Sequence, residues 1–214
     1  MARGTLITIE GLDGAGKSTL AAALAEALPA RGLPVQLLRE PGGVELSERI
    51  RTLVKDPAMQ VGGRAEALLY AAARAQLVQQ RLAPLLDEGA NVLLDRYIDS
   101  SLAYQGAARG LGLEQIRQIN HFATAGLQAD RTLLLQISPA AGRARQVSRR
   151  EQPDRLERED DRFFADIAEA YDQLAGAEPR RISVLDAAQG PDQVLAQALQ
   201  ALADLLPSGR SRRH

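Results

Sequence analysis

Five short apolar runs recur along the chain: Leu6–Ile9, Val35–Leu38, Val92–Leu94, Leu133–Ile137 and Ile182–Leu185. Their Val, Ile and Leu content suits strands buried on both faces. Helical patterns separate them. Leu20–Leu28 follows the first run, Gln60–Glu88 makes a long helical stretch, and Leu113–Leu127 and Asp192–Leu206 read as amphipathic helices. Pro84 lacks a backbone donor, so the long stretch is expected in two pieces. Alternation of this kind predicts an α/β fold, a parallel sheet with helices on both faces. Ligands of such sheets sit beyond the carboxyl ends of the strands. At 214 residues, one such domain accounts for the chain.

The candidate chemistry falls at those strand ends. Ile9 to Thr19 reads I-E-G-L-D-G-A-G-K-S-T, directly after the first strand and before a helix. Gly11, Gly16, Lys17 and Ser18 fill the phosphate-binding P-loop pattern G-x-x-x-x-G-K-[ST]. Its glycines permit positive φ, and the freed N–H groups converge on an anion at the helix N-terminus. Lys17 would reach the β- and γ-phosphates, and the Ser18 hydroxyl would hold Mg²⁺. Of 26 basic residues only Lys17 and Lys55 are lysine. A chain that otherwise writes arginine keeps a compact point charge where phosphate crowds the site.

The third strand ends in Asp95-Arg96-Tyr97. Asp95 stands where P-loop enzymes place a carboxylate that orders Mg²⁺, and Arg96 can grip a phosphate bidentately; a strand-end ion pair is the plainer reading. Ser100, Ser101, Tyr104 and Gln105 follow, on adjoining helical faces or simply at the surface. Tyr70 and Arg74 share a helix face, so the ring either packs in the core or stacks on a base. Between residues 143 and 162 lie seven arginines with interleaved acids. These make a solvated helix or, because Gln152-Pro153 interrupts it, a mobile lid carrying Arg149, Arg150 and Arg155. A net charge of −1 argues against general nucleic-acid binding. Zero cysteine removes disulfides and thiolate metal sites and is compatible with the cytoplasm. No apolar run is long enough for a membrane span, and no signal peptide is expected ahead of the first strand. The basic tail from 207 to 214 is expected to be disordered.

Taken together, I-E-G-L-D-G-A-G-K-S-T, R-E-P-G-G, L-Y-A-A-A-R, D-R-Y-I-D-S-S-L-A-Y-Q and R-E-Q-P-D-R-L-E resemble thymidylate kinase, of the nucleoside monophosphate kinase group. The resemblance runs from Gly4 to Leu206. It implies a P-loop NTPase three-layer fold with a five-stranded parallel sheet and an arginine-rich lid at about residues 143–160. It implies transfer of the γ-phosphoryl group of ATP to dTMP with Mg²⁺, and a homodimer. ATP would be held by Gly11, Leu12, Asp13, Gly14, Ala15, Gly16, Lys17, Ser18 and Thr19. Asp13 would also meet the 3′-hydroxyl of dTMP. Pro41, Arg51, Tyr70, Arg74, Arg96, Ser100, Ser101, Tyr104 and Gln105 would form the dTMP pocket, and Ser18 and Asp95 the metal site. Lys17, Arg96, Arg150 and Arg155 would act on the transferring phosphoryl group. Some family members carry a P-loop arginine where this chain has Gly14; the lid arginines then look like the bacterial arrangement. Two departures stand out. Tyr70 replaces the usual phenylalanine, and Val44 replaces a threonine, which removes a helix cap.

Overall fold

The computed structural model describes residues 3–148 and 152–206. Arg149, Arg150 and the tail from 207 lie outside the described residues. Five strands form one all-parallel sheet in the order β2-β3-β1-β4-β5. They are β1 Leu6–Gly11, β2 Val35–Arg39, β3 Asn91–Asp95, β4 Arg131–Gln136 and β5 Ile182–Asp186. The P-loop strand is central, so its carboxyl end opens between neighbours on both sides. Alternate side chains feed two cores. Ile7, Ile9, Leu93, Leu133 and Leu135 pack with α1 (Lys17–Ala27), α8 (Asp161–Ala177) and α9 (Pro191–Ala201). Leu6, Val92 and Leu94 point the other way, onto Leu77, Val78, Leu82 and Leu86.

Those four residues belong to the long helical stretch. It runs as α3 (Gly63–Leu77), a π-helical turn (Val78–Leu82) and α4 (Ala83–Asp87). The expected break at Pro84 is a widened turn rather than a gap. The proline ring would clash with the carbonyl four residues back, and a π turn moves that carbonyl away while the axis continues. The helix expected to Leu127 is α6, Leu113–Thr124, stopped by left-handed backbone at Ala125 and Gly126. The helix expected to Leu206 ends at Ala201.

Helix α2 (Glu45–Lys55) starts at Val44, which caps nothing with its side chain. Glu48 reaches back instead, and its carboxylate accepts the Gly43 N–H at 2.8 Å and binds Arg39. The short α5 (Ile98–Ser101) runs on into a π-helical segment, Leu102–Ala108, and α7 (Pro139–Ser148) follows β4.

Candidate active site

The carboxyl ends of β1, β2 and β3 open into one cleft of about 400 Å³, lined by residues from the P-loop, α2, α3, α5 and the stretch after residue 151. The P-loop takes the backbone its glycines permit, with φ of 140° at Gly11, 82° at Gly14 and 97° at Gly16. Lys17 is buried and folds back, donating to Gly11 O at 3.1 Å and Leu12 O at 2.8 Å. Burial, helped by the Arg96 charge, pushes its ammonium down to about 8. Ser18 donates to Asp95 Oδ2 at 3.0 Å. A hydroxyl and a carboxylate side by side suit Mg²⁺, which takes few protein oxygens and completes its shell with phosphate and water. Among the described residues no cluster of three acidic, His or Cys side chains offers an all-protein metal cage.

Arg96 has φ 69°, a left-handed conformation that costs a non-glycine residue about 1–3 kcal/mol. Neighbours hold it there. Its guanidinium donates to Asp13 Oδ1, to Ser100 Oγ at 3.0 Å and to Tyr104 Oη at 3.2 Å, and lies over the Tyr104 ring. Tyr104 donates to Asp13 Oδ2 at 2.9 Å. Burial alone would raise the Asp13 carboxyl. Arg96 and Lys17 outweigh it and hold the group well below the usual carboxylate range. Beneath this cluster Glu10, fully buried in β1, accepts the N–H groups of Tyr97 at 2.7 Å and Ser100 at 3.2 Å, and the Tyr171 hydroxyl at 3.0 Å. It ties down the backbone that follows the strained Arg96.

Arg74 sits at the far end of the cleft, 2% exposed. It donates through Nε to Glu40 Oε2 at 2.6 Å, through Nη2 to Tyr97 O at 2.9 Å, and through Nη1 to Ser101 Oγ at 2.8 Å and to Asn120 Oδ1. Glu40 is equally buried. Burial pushes its carboxyl up to about 7 against the pull of Arg74, and its Oε1 has no partner among the described residues. Tyr70 lies one turn from Arg74 and faces the same cleft. Arg51 donates to Pro41 O at 3.0 Å, across a cis Glu40–Pro41 bond. Gln105 donates to Glu66 at 2.9 Å.

Of the described site residues named from the sequence, all line this cleft except Gly11, Leu12, Ala15 and Arg155. Arg155 turns away: it donates to Val54 O at 2.9 Å and to Glu66 Oε2 at 2.7 Å. Glu66 is fully buried and also binds Arg109, so its charge draws both guanidiniums to the root of the segment. Arg155 therefore anchors this segment instead of pointing at phosphate. Asp154 adds an ion pair to Lys55 at 2.7 Å. Sequence reasoning gave no role to Glu10 or Glu66, and Glu40 entered only as part of R-E-P-G-G. Glu66 carried a usable signal: it stands four and eight residues before Tyr70 and Arg74, on their helix face.

This geometry has relatives. The family model for thymidylate kinase matches residues 9–198. The thymidylate kinase of Deinococcus radiodurans is 48% identical over 204 residues, covering 95% of this chain and 98% of that one. That of Rhizorhabdus wittichii is 46% identical over 206 residues, covering 95% and 99%. A crystal structure of thymidylate kinase from Ehrlichia chaffeensis superposes with a TM-score of 0.75 at 27% identity, covering 94% of this chain and 99% of that one. With a family match over most of its length and relatives well above the identity that a shared fold alone would need, the chain belongs to the thymidylate kinase family.

Proposed function

We propose that this chain transfers the γ-phosphoryl group of ATP to dTMP, giving ADP and dTDP. The observation that supports this reading is one cleft lined by Lys17, Ser18, Asp95, Arg96, Tyr70, Arg74 and Ser101 together. The reading assigns the first three to the triphosphate, the last three to the base and Arg96 to the space between. The nucleophile is a phosphate oxygen of dTMP. With a second pKa of about 6 it is already a dianion at neutral pH, so the site needs cations and alignment rather than a base. Mg²⁺, held by Ser18 and Asp95, would supply charge neutralisation at the β- and γ-oxygens. Lys17 swings from the Gly11 and Leu12 carbonyls to phosphate. Arg96 binds the acceptor phosphate. Asp13, kept ionised, accepts the 3′-hydroxyl, and Tyr104 packs beneath the sugar. Arg150 is the lid arginine that meets the transferring group, with the lid root fastened by Arg155 on Glu66.

Base choice follows from donors. Arg74 only donates, so it pairs with thymine O4 and opposes the cytosine amino group. The thymine methyl distinguishes dTMP from dUMP by only about 1–3 kcal/mol. An assay of ADP formation across dTMP, dUMP, dCMP, AMP and thymidine tests the assignment. Fast turnover of dTMP, slow turnover of dUMP and none of dCMP is expected; preference for any other acceptor refutes it.

Lys17 sets a pH dependence. Its ammonium, lowered to about 8 in the free site, is charged at pH 7 and mostly neutral at pH 9. Phosphate restores the charge, so ATP binding takes up a proton above pH 8. The Kd for ATP should rise roughly tenfold from pH 7 to pH 9. A flat profile by calorimetry would remove Lys17 from the phosphate site.

Leu46 and Leu53 on α2 and Leu68 on α3 are exposed, and the two helices pack together. These side chains support a homodimer through that face, which the sedimenting mass tests. No helix among the described residues is long and apolar enough to cross a membrane. A cytoplasmic enzyme is the corresponding reading.

A further inference from the structure

The P-loop and the helix leading to the arginine-rich segment meet backbone to backbone at two glycines. A Cβ on Gly14 would stand 2.2 Å from Gly142 O, and one on Gly142 would stand 2.9 Å from Asp13 O. Gly14 is demanded twice, since its φ of 82° already favours glycine. Gly142 is different. It lies buried within α7 on helical backbone, where glycine weakens a helix relative to alanine. Only the contact explains it. Gly176 in α8 is the contrasting case, with nothing within 4 Å of its added Cβ.

Helix α7 has two fixed points. Its start is tied to the end of β4, where Ser138 accepts the Ala141 N–H through its hydroxyl and the Gly142 N–H at 3.0 Å through its carbonyl. Its first turn then rests on Asp13 and Gly14. Two points fix the axis of α7. A contact between peptide groups has no flexible side chain to absorb a displacement, so a shift on either side is passed to the other.

We propose that Gly142 is a positioning residue: by lacking a side chain it seats α7 on the P-loop and holds Asp13 against Arg96. The same contact closes position 14 to any side chain. A cation for the transferring group therefore cannot come from position 14 while α7 is seated. The proposal rests on the reading of Asp13 and Arg96 given above.

Gly142→Ala separates the contact from helix propensity, because the two act in opposite directions. Gly176→Ala is the control and should raise Tm by a few degrees with kcat unchanged. Gly142→Ala should lower kcat about tenfold, with KM for dTMP within about twofold and no rise in Tm. A Gly142→Ala enzyme that gains Tm as the control does and keeps wild-type kcat overturns the proposal. If Arg96→Ala lowers kcat while Gly142→Ala does not, the Arg96 reading stands and the coupling falls. If neither variant lowers kcat, both fall. Hydrogen exchange on the unaltered protein covers a variant that fails to fold. Binding of a non-hydrolysable ATP analogue should protect the P-loop and residues 139–148 together; protection of the P-loop with α7 unchanged overturns the coupling.

Discussion

Replacing Arg96 with alanine should reduce kcat/KM for dTMP about a thousandfold, mostly in kcat, while the protein remains folded. The magnitude follows from position. The proposal puts Arg96 between triphosphate and base, and three oxygens, of Asp13, Ser100 and Tyr104, fix its plane. That bracing removes the reorganisation a solvent-exposed cation would need as charge develops on the transferring group. Lysine should not restore the activity, because a point charge cannot satisfy Asp13, Ser100 and Tyr104 while also gripping a phosphate. Glycine gives an internal check. At φ 69° the backbone is strained for arginine and alanine alike, so Arg96→Gly should be more stable than Arg96→Ala by about 1 kcal/mol and no more active. A kcat within tenfold of wild type in the alanine enzyme would remove Arg96 from the reaction.

The second large effect is on stability and base choice together. Arg74→Ala leaves Glu40 buried at 3% side-chain exposure with neither oxygen paired to a cation. Breaking a buried pair from one side costs about 3–5 kcal/mol, a fall in Tm of about 10 °C for a chain this size. Changing both partners, Arg74→Gln with Glu40→Gln, removes the charges together and should recover most of that loss. Activity separates the roles. The double variant keeps a shaped pocket but a weaker, ambidextrous partner for the base, since an amide can accept as well as donate. Its preference for dTMP over dCMP should drop by about two orders of magnitude. Thermal melts and parallel kcat/KM measurements with the two nucleotides check this. A stable Arg74→Ala protein would mean the pair is not the buried charge network described. Undiminished discrimination in the double variant would mean Arg74 does not read the base.

The parts legible in the sequence are those written over short distances. The P-loop occupies consecutive residues, and its strand–turn–helix setting follows from local periodicity. All five apolar runs became strands, with ends moved by a residue or two where polar residues such as Asn91, Asp95 and Arg131 continue the ladder. Tyr70 and Arg74 were joined by helical spacing alone. The parts not legible depend on partners far away in the chain. Glu10 looks like an interruption of an apolar strand until Tyr97, Ser100 and Tyr171 arrive to hydrogen-bond it. Glu40 is understood only against Arg74. Arg155 shows the limit most clearly. In a cluster of arginines the nearest plausible anion was phosphate, yet the carboxylate that binds Arg155, Glu66, lies 89 residues earlier, on α3. The π turn before Pro84 has a related cause: proline marks the disturbance, and only packing of Val78 and Leu82 against the sheet decides that the helix continues through it.

The account turns on direct transfer between two anions aligned in one cleft. A single-turnover experiment with γ-labelled ATP, Mg²⁺ and dTMP, with enzyme in excess over ATP, follows the label itself. The account predicts that it appears in dTDP as ADP forms, mole for mole. Label released as inorganic phosphate, or retained in ATP with dTMP bound, would contradict it.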